Sequence, residues 1–172
     1  MKINSLLDTL AKVNSNDFEI FVFGLGYVGI PLSLRLATHG FKVIGVDTDT
    51  RKIESLKRKS LEKSHMELEP MLRATITNHS FLPTSKATKS TKPRIGIICV
   101  PTPIPDEKVN SETFVFVAAE EFLNSSNKGD IIILESSVRE GTTEELIKKI
   151  KSKGYHVGEN FGVCFCPERI DP

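Results

Sequence analysis

Apolar residues in this chain form short continuous runs, separated by stretches in which they recur every three or four positions. Continuous runs are typical of strands buried on both faces, and the longer spacing is typical of amphipathic helices. The predicted strands are residues 18–23, 42–46, 94–100, 130–134 and 161–166. Strands that alternate with helices favour an α/β fold. We therefore expect one domain over residues 1–172, a doubly wound parallel sheet of about six strands with helices on both faces.

Helical signals lie between the predicted strands and before the first one. The spacing of Ile3, Leu6, Leu7 and Leu10 predicts a short amphipathic helix over about residues 3–13. Further helices are expected through 53–56, 66–76, 116–122 and 146–150, with Ser111 capping the third and Thr142 or Thr143 the fourth. The polar segment 85–93 is predicted to be a solvated surface loop.

The first predicted strand is followed by a glycine-rich turn, Gly24-Leu-Gly-Tyr-Val-Gly29, and then by a predicted helix. Gly24 allows a sharp turn, Gly26 allows a pyrophosphate to approach the backbone, and Gly29 allows the helix to pack closely on the sheet. Asp47 ends the second predicted strand, 18 residues after Gly29. Strand, glycine turn, helix, strand and acid in this order indicate a Rossmann-type dinucleotide-binding fold.

The acidic residue Asp47 bears on which dinucleotide is bound. A carboxylate at this position accepts hydrogen bonds from ribose hydroxyls and repels a 2′-phosphate, which favours NAD over NADP. Folds that bind FAD or S-adenosylmethionine share parts of the glycine pattern. Pro31 falls in the first turn of the following helix, where a missing N–H costs little.

Composition excludes several functional classes. The chain has 39% hydrophobic and 26% charged residues and a net charge of +1, which is ordinary for a globular domain and argues against a nucleic-acid partner. No apolar run approaches the roughly 18 residues of a membrane span, and the first residues do not form a signal peptide. Three cysteines do not make a disulfide framework. We expect a cytoplasmic, reduced protein without a membrane partner.

Ligands of a parallel sheet bind outside the carboxyl ends of its strands, so the residues there carry the functional information. Taken together, these strand ends resemble the nucleotide-sugar dehydrogenases, the UDP-glucose/GDP-mannose dehydrogenase family. The matching segments are residues 24–32, 45–47, 99–103, 135–138 with 141–143, and 166–172. Their order and spacing extend the resemblance over almost the whole chain.

The resemblance implies an NAD-dependent enzyme that oxidises C6 of a UDP-sugar twice, from alcohol through aldehyde and thioester to carboxylate, with two NAD⁺. The full-length enzyme is implied to be a homo-oligomer. Arg169 and Ile170 after Glu168 are similar to members acting on N-acetylhexosamines. The implied substrate is UDP-N-acetylmannosamine or UDP-N-acetylglucosamine.

The resemblance also implies roles for individual residues. Those implied to line the pyrophosphate are Gly24, Leu25, Gly26, Tyr27 and Val28. Those implied at the adenosine ribose are Asp47 and Lys52, and those at the nicotinamide are Val100, Pro101 and Thr102.

Three further residues are implied to serve catalysis or substrate binding. Ser137 occupies the position of a threonine that helps to place a catalytic water near the cofactor. Glu168 is implied to face the substrate and to act with water as acid or base, and Arg169 to read the sugar or its phosphate. Pro172 stands where UDP-glucose-type members have a second glutamate, so that role does not transfer.

The family's nucleophilic cysteine, lysine, asparagine and aspartate follow the glutamate motif, and the sequence ends at Pro172. Cys99, Cys164 and Cys166 lie in apolar strands, where a packing role is expected rather than a nucleophilic one. Neither these thiols nor the histidines have zinc-ligand spacing, and no metal site is expected. We expect His39, His65, His79 and His156 to be surface or cap residues.

The chain is accordingly expected to bind NAD without completing the oxidation, since the family's central and C-terminal UDP-sugar domains are absent from it. Two alternatives remain at this point. One is a stand-alone NAD-binding or regulatory module without catalysis. The other is a methyltransferase that uses the same glycine motif, which the segments at 100–103 and 167–169 argue against.

Overall fold

The computed structural model describes Thr9 and residues 17–102 and 112–167. The strands are β1 (Glu19–Phe23), β2 (Lys42–Val46), β3 (Phe81–Thr84), β4 (Arg94–Ile98), β5 (Ile131–Leu134) and β6 (Gly162–Phe165). The helices are α1 (Gly29–Thr38), α2 (Thr50–Lys57), α3 (Glu69–Thr77), α4 (Thr113–Leu123) and α5 (Thr142–Ser152), with a 3-10 helix over Lys63–Leu68.

The six strands form one parallel sheet in the order β3-β2-β1-β4-β5-β6. This order is that of the doubly wound dinucleotide-binding folds, with the strand order reversing between β1 and β4. The prediction of a Rossmann-type α/β domain with about six strands is confirmed.

Two apolar clusters cover the two faces of the sheet. On one face, α1, α2 and α3 bury residues such as Leu34, Leu56 and Leu72. On the other face, α4 and α5 bury Phe122 and Leu146. The central strands are therefore covered on both sides, which accounts for their continuous apolar runs.

Strand β3 was not predicted from the apolar pattern. Its sequence, Phe-Leu-Pro-Thr, contains Pro83, which cannot donate to a neighbouring strand. In the described sheet β3 lies at the edge and pairs only with β2, so the missing N–H is not needed.

The start of α5 differs from the prediction, and the predicted helix at 3–13 is not tested. Helix α5 is not capped by Thr142 or Thr143. Its N-cap is Gly141, with φ of 90°, and Thr142 is the buried first residue of the helix. The predicted helix at 3–13 lies outside the described residues except for Thr9, and Ser111 lies outside them as well. In the described part of the chain, no helix has the length and apolar character that crossing a membrane requires.

The segment 85–93, predicted to be a solvated loop, is anchored at several points. The Ala87 N–H donates to the Glu121 carboxylate at 2.9 Å, and the Thr88 carbonyl accepts from the Arg94 guanidinium at 3.1 Å. Several of its residues, including Lys89, are exposed, while Pro93 is buried. The loop is thus hydrogen-bonded to α4 and β4, although its polar composition predicted a solvated loop.

Candidate functional site

The carboxyl ends of four adjacent strands, β2, β1, β4 and β5, meet at one edge of the sheet. The segments that follow them are the glycine turn after β1, Asp47 after β2, residues 99–102 after β4 and 135–137 after β5. The sheet thereby brings together the predicted strand-end positions that fall within the described residues. The point where the strand order reverses, between β1 and β4, is where ligands of this fold bind.

Two glycines of the turn are required by close backbone contacts. Gly24 has φ of 89°, and a Cβ there would lie 2.7 Å from the carbonyl oxygen of Cys99. A Cβ on Gly29 would lie 1.8 Å from the carbonyl oxygen of Gly24. The turn after β1 is therefore packed against both the end of β4 and the start of α1, as the motif predicts.

Gly26 differs from Gly24 and Gly29 because a Cβ there would meet no atom of the described residues within 4 Å. Among those residues no contact requires glycine at this position, and they leave the space beside its backbone open. Helix α1 begins nearby, with no side-chain cap from Val28 and no acid in its first turn. Open space beside the uncapped start of this helix fits the pyrophosphate of a dinucleotide.

Asp47 is held by three donors at the end of β2. Its Oδ2 accepts from the Leu25 N–H at 2.8 Å and from the Lys52 Nζ at 3.1 Å, and its Oδ1 accepts from the Asp49 N–H at 2.9 Å. The Asp47 side chain retains 11% exposure and that of Lys52 25%. The two residues predicted at the adenosine ribose, Asp47 and Lys52, therefore lie in direct contact, and the carboxylate stays partly open to solvent.

Lys52 lies in the first turn of α2, and the amino end of this helix is capped by a side chain. Asp49 is its N-cap, and its carboxylate accepts from the Arg51 N–H at 2.9 Å and the Lys52 N–H at 3.4 Å. The backbone N–H of Arg51 holds the pKa of the Asp49 carboxyl below its ordinary value. This cap sets where α2 begins and so places Lys52 within reach of Asp47.

On the β4 side of the point where the strand order reverses, Ser136 joins the ends of β4 and β5. Its Oγ donates to the Val100 carbonyl at 2.7 Å and lies 3.2 Å from the Ile98 carbonyl. Ser136 is buried, whereas Ser137, the predicted site residue, is exposed beside it. Sequence reasoning missed Ser136 because nothing in Glu-Ser-Ser distinguishes the two hydroxyls. Thr102 is half-buried and Pro101 exposed.

The predicted substrate residues and the histidines complete the candidate positions. Glu168 and Arg169 lie outside the described residues. His65, expected at the surface or at a cap, is buried, which corrects that expectation, and its Nε2 lies 3.4 Å from the Tyr27 carbonyl oxygen. The other three histidines are exposed, and His39 caps the end of α1.

Cys164 in β6 and Cys166 directly after it also differ from expectation. Cys164 and Cys166 are exposed, not packed in the core, and Phe165 between them is 48% exposed. The physical reason is that β6 lies at the edge of the described sheet, where described elements do not cover these side chains. Cys99 is half-buried among the core residues under α1, as expected.

Comparison with known proteins agrees with this geometry. The profile described as the UDP-glucose/GDP-mannose dehydrogenase family, NAD binding domain, matches residues 18–172. That range covers all the described strands and helices.

Individual relatives point the same way. The chain is 34% identical over 169 residues to the UDP-N-acetyl-D-mannosamine dehydrogenase of Methanocaldococcus jannaschii, covering 95% of this chain and 38% of that protein. It is 30% identical to the NDP-N-acetyl-D-galactosaminuronic acid dehydrogenase of Ralstonia solanacearum, covering 91% and 38%. A structure of the UDP-N-acetyl-mannosamine dehydrogenase of Staphylococcus aureus superimposes with a TM-score of 0.81 at 29% identity, covering 90% and 37%. The chain thus spans less than two fifths of these relatives.

Proposed function

Because the chain belongs to the UDP-glucose/GDP-mannose dehydrogenase family, we propose that it is the NAD-binding portion of a UDP-N-acetylhexosamine 6-dehydrogenase. The whole enzyme would oxidise C6 of the sugar to a carboxylate with two NAD⁺. The observation that carries the proposal is the glycine turn, which places open space at Gly26 beside Asp47 and the start of α1.

We assign the cofactor to residues on both sides of the point where the strand order reverses, between β1 and β4. Backbone groups of residues 24–28 would hold the pyrophosphate, and Asp47 with Lys52 the adenosine ribose. Residues 100–102 and Ser137 would border the nicotinamide, and Ser136 would hold that border in place through the Val100 carbonyl. When bound, NAD⁺ supplies the hydride acceptor.

The sugar is proposed from two lines of support. The relatives named above act, by name, on N-acetylated sugar nucleotides, and two of them are UDP-N-acetylmannosamine dehydrogenases. Arg169 and Ile170 after Glu168 agree with that class by resemblance. UDP-N-acetylmannosamine is therefore the first substrate to test, with UDP-N-acetylglucosamine second.

The 172-residue chain by itself is proposed to bind NAD without turnover. We assign residues 1–172 to the NAD-binding domain of such an enzyme, and the chain covers 38% of the jannaschii relative. Glu168 and Arg169 are proposed to contact the substrate, as the family resemblance implies. We further propose a homo-oligomeric full-length enzyme in the cytoplasm. The three cysteines, none of them in a disulfide, agree with a reducing compartment.

The test is calorimetric titration of the purified chain with NAD⁺. We expect saturable binding that weakens at least about tenfold in Asp47→Ala, because the ribose loses a charged hydrogen-bond acceptor. Glu54→Ala is the matched control, since Glu54 is an exposed acid of α2 paired only with Lys57 among the described contacts. Absence of binding in the folded chain, or equal weakening in both variants, would refute the assignment of the site.

A second measurement tests the incomplete catalysis. The chain is mixed with NAD⁺ and UDP-N-acetylmannosamine, and NADH is followed by absorbance. No sustained NADH formation is expected. Continued turnover would contradict the proposed incompleteness. The alternative of a stand-alone NAD-binding module gains support if the gene has no open frame with a glycine-flanked cysteine beyond Pro172.

A further inference from the structure

The residue before the N-cap of α1, Tyr27, has a carbonyl that the helix does not pair. In an α-helix the carbonyl of residue 27 accepts from the N–H of residue 31. Residue 31 is Pro31, which has no N–H. The carbonyls on either side do find their helical donors: Gly26 accepts from Ile30 and Val28 accepts from Leu32, each at 3.1 Å. The Tyr27 carbonyl is therefore left without a donor from its own helix.

His65 supplies a donor to this carbonyl from the 3-10 helix. Its Nε2 lies 3.4 Å from the Tyr27 oxygen, and its Nδ1 lies 2.9 Å from the Ser64 Oγ. A carbonyl oxygen can only accept, so Nε2 carries the hydrogen. In the neutral ring Nδ1 then accepts from the Ser64 hydroxyl. Each ring nitrogen then has a polar partner, and this pairing assigns the Nε2–H tautomer to the neutral ring.

The backbone around His65 turns its side chain inward. Its φ of −133° and ψ of 16° interrupt the 3-10 helix. Ser64 and Met66 on either side are exposed, whereas His65 is 6% exposed. The His65 ring also packs against the Tyr27 ring, with centroids 5.7 Å apart. His65 therefore contacts both the carbonyl and the side chain of one residue of the glycine turn.

We propose that His65 is a positioning residue for the dinucleotide. The Tyr27 carbonyl and the Val28 N–H belong to one planar trans peptide and point in opposite directions. Fixing the carbonyl toward His65 therefore aims the Val28 N–H in the opposite direction, out from the amino end of α1, where the proposed pyrophosphate lies. The inference rests on NAD binding at this turn.

Three variants of the 172-residue chain test the inference by calorimetric titration with NAD⁺. His65→Phe keeps a ring but removes the donor, and we expect about three- to tenfold weaker binding. His65→Gln offers an amide N–H near the Nε2 position and should bind within about twofold of wild type. Pro31→Ala added to His65→Phe returns the helical N–H to the Tyr27 carbonyl and should restore most of the affinity.

The outcomes separate this inference from the proposed function. If the wild type does not bind NAD⁺, the proposed function fails. If the wild type binds and His65→Phe binds equally well, the positioning role is wrong. If the double variant with His65→Phe and Pro31→Ala binds NAD⁺ as weakly as His65→Phe, and both variants melt at a lower temperature than wild type, His65 only supports the core. The inference is then overturned.

A spectroscopic measurement tests the hydrogen bond without relying on a substitution that disturbs folding. The ¹⁵N spectrum of the neutral His65 imidazole should show the hydrogen on Nε2, with Nδ1 unprotonated. The Nε2 resonance should shift when NAD⁺ is added, because the peptide it contacts adjoins the phosphates. A hydrogen on Nδ1, or no response to NAD⁺, would contradict the inference.

Discussion

The Arg94 guanidinium donates two hydrogen bonds to one carboxylate oxygen of Asp130, from Nε at 3.0 Å and Nη2 at 2.8 Å, with both side chains fully buried. The Arg94 N–H donates to the other oxygen at 3.0 Å. The guanidinium also lies over the Phe21 and Phe122 rings, 5.4 and 4.8 Å from their centroids. The pair joins the amino ends of β4 and β5, at the edge of the sheet opposite the candidate site.

We predict that Arg94→Met destabilises the domain by about 3–5 kcal/mol, because it leaves the Asp130 carboxylate buried without its charge partner. Burial already raises the pKa of Asp130, and the charge of Arg94 opposes that rise. Urea unfolding measures the loss. Lys92→Met removes a half-exposed pair with Asp17 and should cost about 0–1 kcal/mol. Equal costs for the two variants would contradict the prediction.

Gly26→Ala should separate cofactor binding from stability. A methyl group at this position meets no atom of the described chain, so the free energy of unfolding should change by about 0.5 kcal/mol or less. NAD⁺ affinity should fall by about tenfold or more, because the methyl occupies the space proposed for the pyrophosphate.

The contrasting variant is Gly24→Ala, where φ is 89° and the added Cβ meets the Cys99 carbonyl. It should lower the melting temperature as well as the affinity. Thermal unfolding and calorimetry on both variants provide the test. Unchanged NAD⁺ affinity in Gly26→Ala would show that the phosphates lie elsewhere.

Glu120 predicts a pH-dependent contribution to stability. Hydrogen bonds from Lys153 and Lys149 hold the pKa of Glu120 below its ordinary value of 4.5. A carboxyl whose pKa is lower in the folded than in the unfolded state stabilises above the unfolded pKa and loses that contribution as the pH falls through the folded one. The side chain is 33% exposed, so the effect is small.

Urea midpoints of wild type and Glu120→Gln measure this contribution. Wild type should be the more stable at pH 7, and the difference should shrink as the pH falls below 4.5. Glu144→Gln, an exposed acid in the first turn of α5, serves as a control for general loss of negative charge. A Glu120 difference that does not change with pH would argue against the ion pairs.

Thiol labelling tests the exposure of β6. Cys164 and Cys166 should react rapidly with an aromatic disulfide reagent in the native 172-residue chain, and half-buried Cys99 more slowly. Cys166→Ser should reduce the rapid phase to one thiol. Slow reaction of both Cys164 and Cys166 would show that this edge of the sheet is covered in solution.

Much of the fold and part of the site were predictable because their signals are local. The apolar runs of β1, β2, β4, β5 and β6, the glycine turn and Asp47 are read from consecutive residues, since backbone conformation and burial on both faces constrain the residue types directly. Strand β3 was not predicted because it contains Pro83, which a strand tolerates only at the edge of a sheet. Which strand lies at an edge depends on the strand order, which no local pattern contains.

The dinucleotide fold and the strand ends of the candidate site follow from the sequence, because neighbouring residues specify glycine turns and buried strands. Three features come from the packed structure alone: Ser136 rather than Ser137 bonds the Val100 carbonyl, the thiols at the β6 edge are exposed, and His65 contacts Tyr27. Each of these depends on which segments pack together. His65 and Tyr27 are 38 positions apart. The Tyr27 carbonyl, which has no helical donor because of Pro31, meets His65 only once α1 and the 3-10 helix are in contact.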